Sequence, residues 1–210
     1  MAEIPRWVDT LEARLAEELP GLDSQRKMAP VGRVPSSYEA EPEGARKAAV
    51  LLAVTGDARL VMIRRARDGG AHSGQMAFPG GAVESVDQSL EAAALREAHE
   101  EVGLDPSEVR LLGSLTPLYI PISNYTIYPV VGYITRLPHF VCQPGEVDGV
   151  VVVSITELAS SRGHLSPDAP GSAAGAPCYR TAACEIWGAT AMIVEEFLSV
   201  LGDEAARARP

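Results

Sequence analysis

Three glutamates, Glu97, Glu100 and Glu101, stand three and four residues apart in the run Arg96-Glu97-Ala98-His99-Glu100-Glu101-Val102-Gly103-Leu104. On an α-helix such positions share one face, so their carboxylates are expected to converge. Like charges so placed repel one another and weaken the helix. A hard divalent cation with oxygen ligands turns that repulsion into a binding site. Read without chemistry, the same run is a solvated helix face on which Arg96 and Glu100 form an ordinary i,i+4 pair. The flanking residues favour the metal reading. Phe78-Pro79-Gly80-Gly81 comes first and reads as a tight glycine turn, and Gly103 is placed to end the helix in a left-handed C-cap. Asp87 is positioned to serve as the helix N-cap. Ala92, Ala93, Leu95 and Ala98 supply a buried stripe that Val102 and Leu104 close.

Several elements must hold this unit in place. Residues 4 to 19 carry an amphipathic pattern (Trp7, Leu11, Leu15) and predict an N-terminal helix. Residues 20 to 45 are rich in proline and glycine and are expected to wrap the surface. Lys47 to Thr55 and Arg59 to Arg65, with Gly56-Asp57 between them, read as a β-hairpin. Val109 to Leu115, Ile127 to Thr135 and Val150 to Ile155 read as further strands, and Trp187 to Leu201 as a long helix with Met192, Ile193, Phe197 and Leu198 inward. Strands alternating with two principal helices point to an α/β fold, a mixed sheet sandwiched between helices. Residues 166 to 178 are of low complexity and read as a flexible loop. No internal repeat and no second domain are evident.

A chain of 210 residues that is 46% hydrophobic can bury one substantial core. No apolar run approaches the roughly 20 residues needed to span a bilayer. The N-terminus lacks the charged-then-apolar order of a signal peptide, so a cytoplasmic location is expected. Cys142, Cys178 and Cys184 are odd in number and scattered, giving neither a disulfide framework nor a zinc spacing. A net charge of −10 argues against nucleic-acid binding. The same charge is awkward for a polyphosphate ligand, unless cations held by the carboxylates and local arginines (Arg64, Arg65, Arg67) offset it.

The helix and the loop before it resemble the signature of the Nudix hydrolases, Gly-x5-Glu-x7-Arg-Glu-U-x-Glu-Glu-x-Gly-U, where U is aliphatic. Arg96, Glu97, Ala98, Glu100, Glu101, Gly103 and Leu104 match its second half at every fixed position. The first half departs: counted from Gly81 the acid falls on Asp87, with eight residues rather than seven before Arg96, and the residue at strict spacing is Gln88. The stretch from Arg65 to Gly81 is similar to the further signature of the coenzyme A pyrophosphatase branch. Arg65, Ala66, Gly74, Phe78, Pro79, Gly80 and Gly81 are on pattern. Val61-Met62-Ile63 replaces its leading Leu-Leu-Thr, and Gly70 stands where a second arginine is expected.

The resemblance covers residues from about 25 to 202, with 1 to 24 as a helical extension and 203 to 210 as a tail. It implies the Nudix fold, Mg²⁺ or Mn²⁺ as cofactor, a small nucleotide as substrate and no membrane or nucleic-acid partner; a homodimer is also compatible with it. Glu97, Glu100 and Glu101 are the implied metal ligands, joined by the Gly81 carbonyl, while Arg96 orients the glutamates. The general base is Glu100, Glu101 or an acid from a later loop, where Glu146 is preferred to Asp148. Arg65, His72, Gly74, Phe78 and Tyr119 are the expected substrate contacts. The implied reaction is hydrolysis of coenzyme A or a derivative to 3′,5′-ADP and 4′-phosphopantetheine. The alternatives are another nucleoside diphosphate compound (ADP-ribose, NADH, a dinucleotide) or a Nudix module that senses a nucleotide without cutting it.

Overall fold

The apolar stretch opening the hairpin alternates strictly in where it buries its side chains. In β1 (Arg46–Thr55) Ala49, Leu51 and Ala53 pack into one core, while Leu52 and Val54 pack into another on the opposite face. β2 (Arg59–Arg65) repeats the pattern, with Val61 and Ile63 on the first face and Leu60 and Met62 on the second. Two buried faces mean a sheet covered on both sides. The computed structural model describes residues 4–30, 41–67, 69, 72–166 and 174–202.

The remaining strands of the main sheet are β3 (Met76–Ala77), β4 (Gly80–Ala82), β5 (Val109–Ser114), β6 (Leu118–Ile120), β7 (Tyr125–Ile134) and β8 (Val147–Ser154). The central order is β3-β2-β1-β7-β5, with β4 on β1, β6 on β7 and β8 on β2. β1 and β7 run parallel over ten residue pairs and the other pairings are antiparallel, so the sheet is mixed as expected. One face is covered by α3 (Leu90–Val102), through Ala93, Ala94, Ala98 and Val102. The other is covered by α1 (Arg6–Leu15) and α5 (Gly188–Leu201), whose Trp7, Leu11, Met192, Ile193 and Phe197 share one core. The result is an α/β/α sandwich.

Several local expectations need correction. Residues 20 to 45 are not wholly irregular: α2 (Gly21–Gln25) and a 3₁₀ turn, Arg26–Met28, pack on α5. They are tied there by Glu196, fully buried, which accepts from the Gly21 and Thr116 backbone N–H groups and from Gln25 Nε2. The run at 150 to 155 ends a residue early, because Ser154 caps a short helix, α4 (Ile155–Ser160). A second, three-stranded sheet, β9 (Arg162–His164), β10 (Pro177–Arg180) and β11 (Glu185–Trp187), was hidden by its short strands. β10 takes up the end of the stretch read as a loop; residues 167–173 lie outside the described residues. The second sheet is held to α5 by buried Glu195, which accepts from Arg162 and from the Tyr179 hydroxyl.

Candidate active site

The glycine pair before the box helix is a strand, not a turn. β4 pairs with β1 so that Ala82 faces Ala48, Gly81 faces Ala49 and Gly80 faces Val50. Glycine is required at Gly80 by the backbone, while at Gly81 a side chain would push the Glu97 carboxylate aside. A Cβ on Gly80, whose φ is +153°, would stand 2.4 Å from the Ala49 carbonyl oxygen, and one on Gly81 would stand 2.6 Å from the Glu97 carboxylate. The backbone therefore lies directly against the first box glutamate.

α3 is capped by its neighbours. Ser89, not Asp87, is the N-cap, its hydroxyl accepting from Ala92 N–H at 3.1 Å. At the other end Gly103 (φ +70°) closes a C-cap in which Gly103 N–H bonds the His99 carbonyl and Leu104 N–H that of Ala98. The buried stripe is rotated slightly from the expected one: Ala94 is buried where Ala92 and Leu95 are half-buried. Asp87 has a different task. Its carboxylate takes Arg96 in a fork, Nε to Oδ1 at 2.9 Å and Nη2 to Oδ2 at 3.0 Å, and also accepts from Glu84 N–H. The Arg96 hydrogen bonds hold the Asp87 carboxyl below the usual range and hold Arg96 protonated.

Arg96 then reaches both outer glutamates: Nη1 donates to Glu97 Oε1 and to Glu100 Oε2, each at 3.0 Å, and Nη2 also bonds the Ala82 carbonyl. All three guanidinium nitrogens are spent on protein acceptors. Glu101 turns the other way, under the sheet edge. It is 4% exposed and accepts from Gly80 N–H at 2.9 Å. Burial pushes its carboxyl up to about 7; the Gly80 bond and the Arg65 charge pull it down, and Glu97 and Glu146 add repulsion. Glu97 is raised too, first by burial, and it also feels Glu100 and Glu146. The expected convergence of three carboxylates is thus only partial. No group of three or more His, Cys, Asp or Glu side chains is gathered for a metal among the described residues. Arg96 draws Glu100 outward, whereas the Gly80 amide draws Glu101 inward.

Glu146 comes from the predicted loop. Its carbonyl accepts from Ala66 N–H at 2.8 Å, which fixes that loop beside the end of β2, and its exposed side chain raises both Glu97 and Glu101. Asp148 is the extra residue where Arg64 pairs with Gly149 but Arg65 with Val147, a β-bulge.

A cavity of about 610 Å³ opens on β4, its wall including Gly80, Gly81 and Ala82; none of these carboxylates lines it, and β4 is what joins the two. Arg65, His72 and Phe78, all expected contacts, line it. The His72 ring is 3.2 Å from Gln75 Oε1. Gly74 does not line the cavity; it takes φ +69° in the turn beneath Arg67. Tyr119 does not line it either. Alternation along β6 turns its hydroxyl to Asn124 (3.1 Å) and gives Ile120 the cavity side. Tyr125, at the end of the aromatic and proline-rich segment from Tyr119, and Trp187, before α5, do line the cavity. Gly70, the departure from pattern, lies outside the described residues.

The NUDIX domain family matches residues 45–173, the span that contains the glycine strand, the box helix and Glu146. The chain belongs to the Nudix family. Among its relatives, the uncharacterized Nudix hydrolase NudL of Pectobacterium atrosepticum is 33% identical over 162 residues, covering 75% of this chain and 84% of the relative. That of Enterobacter sp. (strain 638) is 43% identical over 122 residues, 57% of this chain; the match spans 63% of the relative's length. A solved Nudix hydrolase from M. smegmatis, RenU, is similar over 55% of this chain and 74% of its own, with 23% identity and a TM-score of 0.46. The Nudix box here therefore carries its departure at Asp87 without losing the Arg96 anchor: the inserted residue is absorbed in the loop before Ser89.

Proposed function

We propose that the protein is a pyrophosphohydrolase dependent on Mg²⁺ or Mn²⁺, which cleaves coenzyme A or a derivative to 3′,5′-ADP and 4′-phosphopantetheine. The observation that carries the reading is β4: one side of its glycine pair abuts the Glu97 carboxylate and the same residues wall the cavity. A ligand in that cavity would bring an anhydride to the box glutamates.

The residues present suit a divalent cation. A carboxyl as buried as Glu101, lifted to about 7 and repelled by Glu97 and Glu146, is an anion in need of a counter-charge. Glu97 and Glu101 would hold the metal, with the Gly81 carbonyl as a further oxygen ligand, and Glu100, which Arg96 draws outward here, would join them by turning inward. When bound, such a cation neutralises anhydride oxygens and lowers the pKa of bound water. Arg96, fixed by Asp87, keeps Glu97 and Glu100 aligned. Arg65, at the cavity and close enough to lower the Glu101 carboxyl, is a contact for the anionic substrate. The water's proton passes to a nearby carboxylate, with Glu100 and Glu146 the exposed ones. Water adds to phosphorus as the bridging P–O bond breaks, giving two phosphomonoesters.

The cavity's lining is largely apolar, with Val50, Phe78, Ile120, Ile127, Trp187 and Met192. Such walls suit a nucleotide base or a pantetheine arm better than a bare polyphosphate. The test is incubation with Mg²⁺ and, separately, coenzyme A, dephospho-coenzyme A, ADP-ribose and NADH, with products resolved by mass. Release of 3′,5′-ADP from coenzyme A, strongly preferred, is expected. Preference for ADP-ribose or NADH would keep the chemistry and overturn the substrate. Nucleotide binding without cleavage under Mg²⁺ or Mn²⁺ would replace the enzyme by a sensor.

A further inference from the structure

A side-chain cation packs against two residues of the cavity wall, though it does not itself line the cavity. Arg46, the first residue of β1, is exposed, and its guanidinium carbon lies 4.1 Å from the centroid of the Tyr125 ring. Its Nη2 donates to the Ser123 carbonyl at 3.0 Å, and its backbone N–H to that of Asn124 at 2.9 Å. Ser123 and Tyr125 both line the cavity. The side chain is thus held flat by two residues of the wall, with its entropy of positioning already lost. The Ser123 bond takes one of the five N–H donors that a guanidinium carries.

Its distance from the reacting end follows from register. Arg46 pairs with Tyr125, while Ala49, three residues along β1, pairs with Gly81. Three residues of strand span roughly 10 Å, which is on the order of the length of a nucleoside. Arg65, at the end of β2, lines the cavity together with Gly80 and Gly81. One arginine, Arg65, thus lines the cavity, and a second, Arg46, flanks its wall about a nucleoside's length along β1 from Gly81.

We propose that Arg46, stacked on Tyr125, binds a phosphomonoester of the nucleotide that lies outside the scissile anhydride, and so sets the preference for substrates that carry one. The inference rests on the pyrophosphohydrolase reading. In a chain of net charge −10, a second phosphate dianion needs a local cation. A planar fork held in place offers it two parallel hydrogen bonds. The competing role is mechanical: through Ser123, Arg46 also clamps the turn between β6 and β7. Loss of the clamp would weaken every ligand alike, whereas loss of a phosphate contact would weaken only ligands that bear the extra group.

The two roles separate in calorimetric titrations of 3′,5′-ADP and 5′-AMP into wild type, Arg46→Gln and Arg46→Lys. Wild type is expected to bind 3′,5′-ADP at least about 10-fold tighter than 5′-AMP, and Arg46→Gln to bind the two within about twofold. Arg46→Lys keeps the charge without the fork and should fall between them. Wild type without a preference, Arg46→Gln retaining the wild-type preference, or an equal loss for both nucleotides would each overturn the proposal. Neither probe contains an anhydride, so failure here is distinct from failure to hydrolyse coenzyme A, which is read on wild type alone.

Discussion

Replacing Glu101 with glutamine should move stability and turnover in opposite directions. The carboxyl is 4% exposed and lifted from 4.5 to about 7, chiefly by burial. Each tenfold in proton affinity is worth about 1.4 kcal/mol, so ionised Glu101 destabilises the metal-free folded protein by ~3 kcal/mol. The sign follows from which state holds the proton. Below pH 4.5 both the folded and unfolded chains keep it, and the residue contributes nothing. Between pH 4.5 and about 7 the unfolded chain releases its proton first, so stability falls as pH rises, and above about 7 the loss is complete. Glu97, raised in the same direction, steepens the fall. Glutamine keeps the shape and an oxygen to accept the Gly80 N–H, but does not ionise. In EDTA at pH 8, Glu101→Gln should therefore melt about 6–12 °C above wild type, with the gap closing near pH 4.5. Turnover with Mg²⁺ should fall at least ~100-fold. Paired thermal melts at the two pH values, with Mg²⁺ assays on the same samples, carry the test. A variant no more stable than wild type at pH 8, or one equally more stable at both pH values, would refute the buried-carboxylate argument. Turnover near wild type would remove Glu101 from the metal site.

Gly81→Ala sets a methyl 2.6 Å from the Glu97 carboxylate, so turnover should drop ~100-fold with melting little changed. Gly80→Ala instead strikes the Ala49 carbonyl at 2.4 Å and should lose stability as well, as urea titration of the pair would reveal. Asp87→Ala removes the fork that holds Arg96, so the Mg²⁺ concentration for half-maximal activity should rise ~10-fold; an unchanged value would make that fork irrelevant to the metal. Glu196→Ala strands the Gly21 and Thr116 N–H groups and Gln25 Nε2, and should lower stability by about 3 kcal/mol or more in urea unfolding.

What was legible in the sequence had a period or a punctuation mark. β1 and β2 announced themselves by apolar runs around Gly56-Asp57, and α3 by its stripe and by Gly103, because those signals are local. β4, β6 and β9 to β11 span three or four residues each, too few to show any alternation. Their pairing is decided by partners distant in the chain. The same reason hid the site's finer arrangement. That Asp87 would turn from the cap to Arg96 depended on Ser89 taking the cap, and nothing in spacing distinguishes the two. Glu100 and Glu101 are adjacent letters, yet one is exposed and the other buried under Gly80. Helical periodicity places them near one face but says nothing of the strand that will receive one of them.

The parallel pairing of β1 with β7 governs when any of this can exist during folding. About 70 residues lie between Thr55 and Tyr125, and closing a loop of that length costs roughly 4 kcal/mol in chain entropy before a single rung forms. Hairpins such as β1–β2 and the capped α3 can form early because their contacts are local. Tyr125 and Ile127 join the cavity wall only after the long closure, which also brings in the Arg46–Tyr125 stack. Binding competence should therefore arrive late and all at once. A fragment ending before β7 could carry every box glutamate and still have only part of the wall.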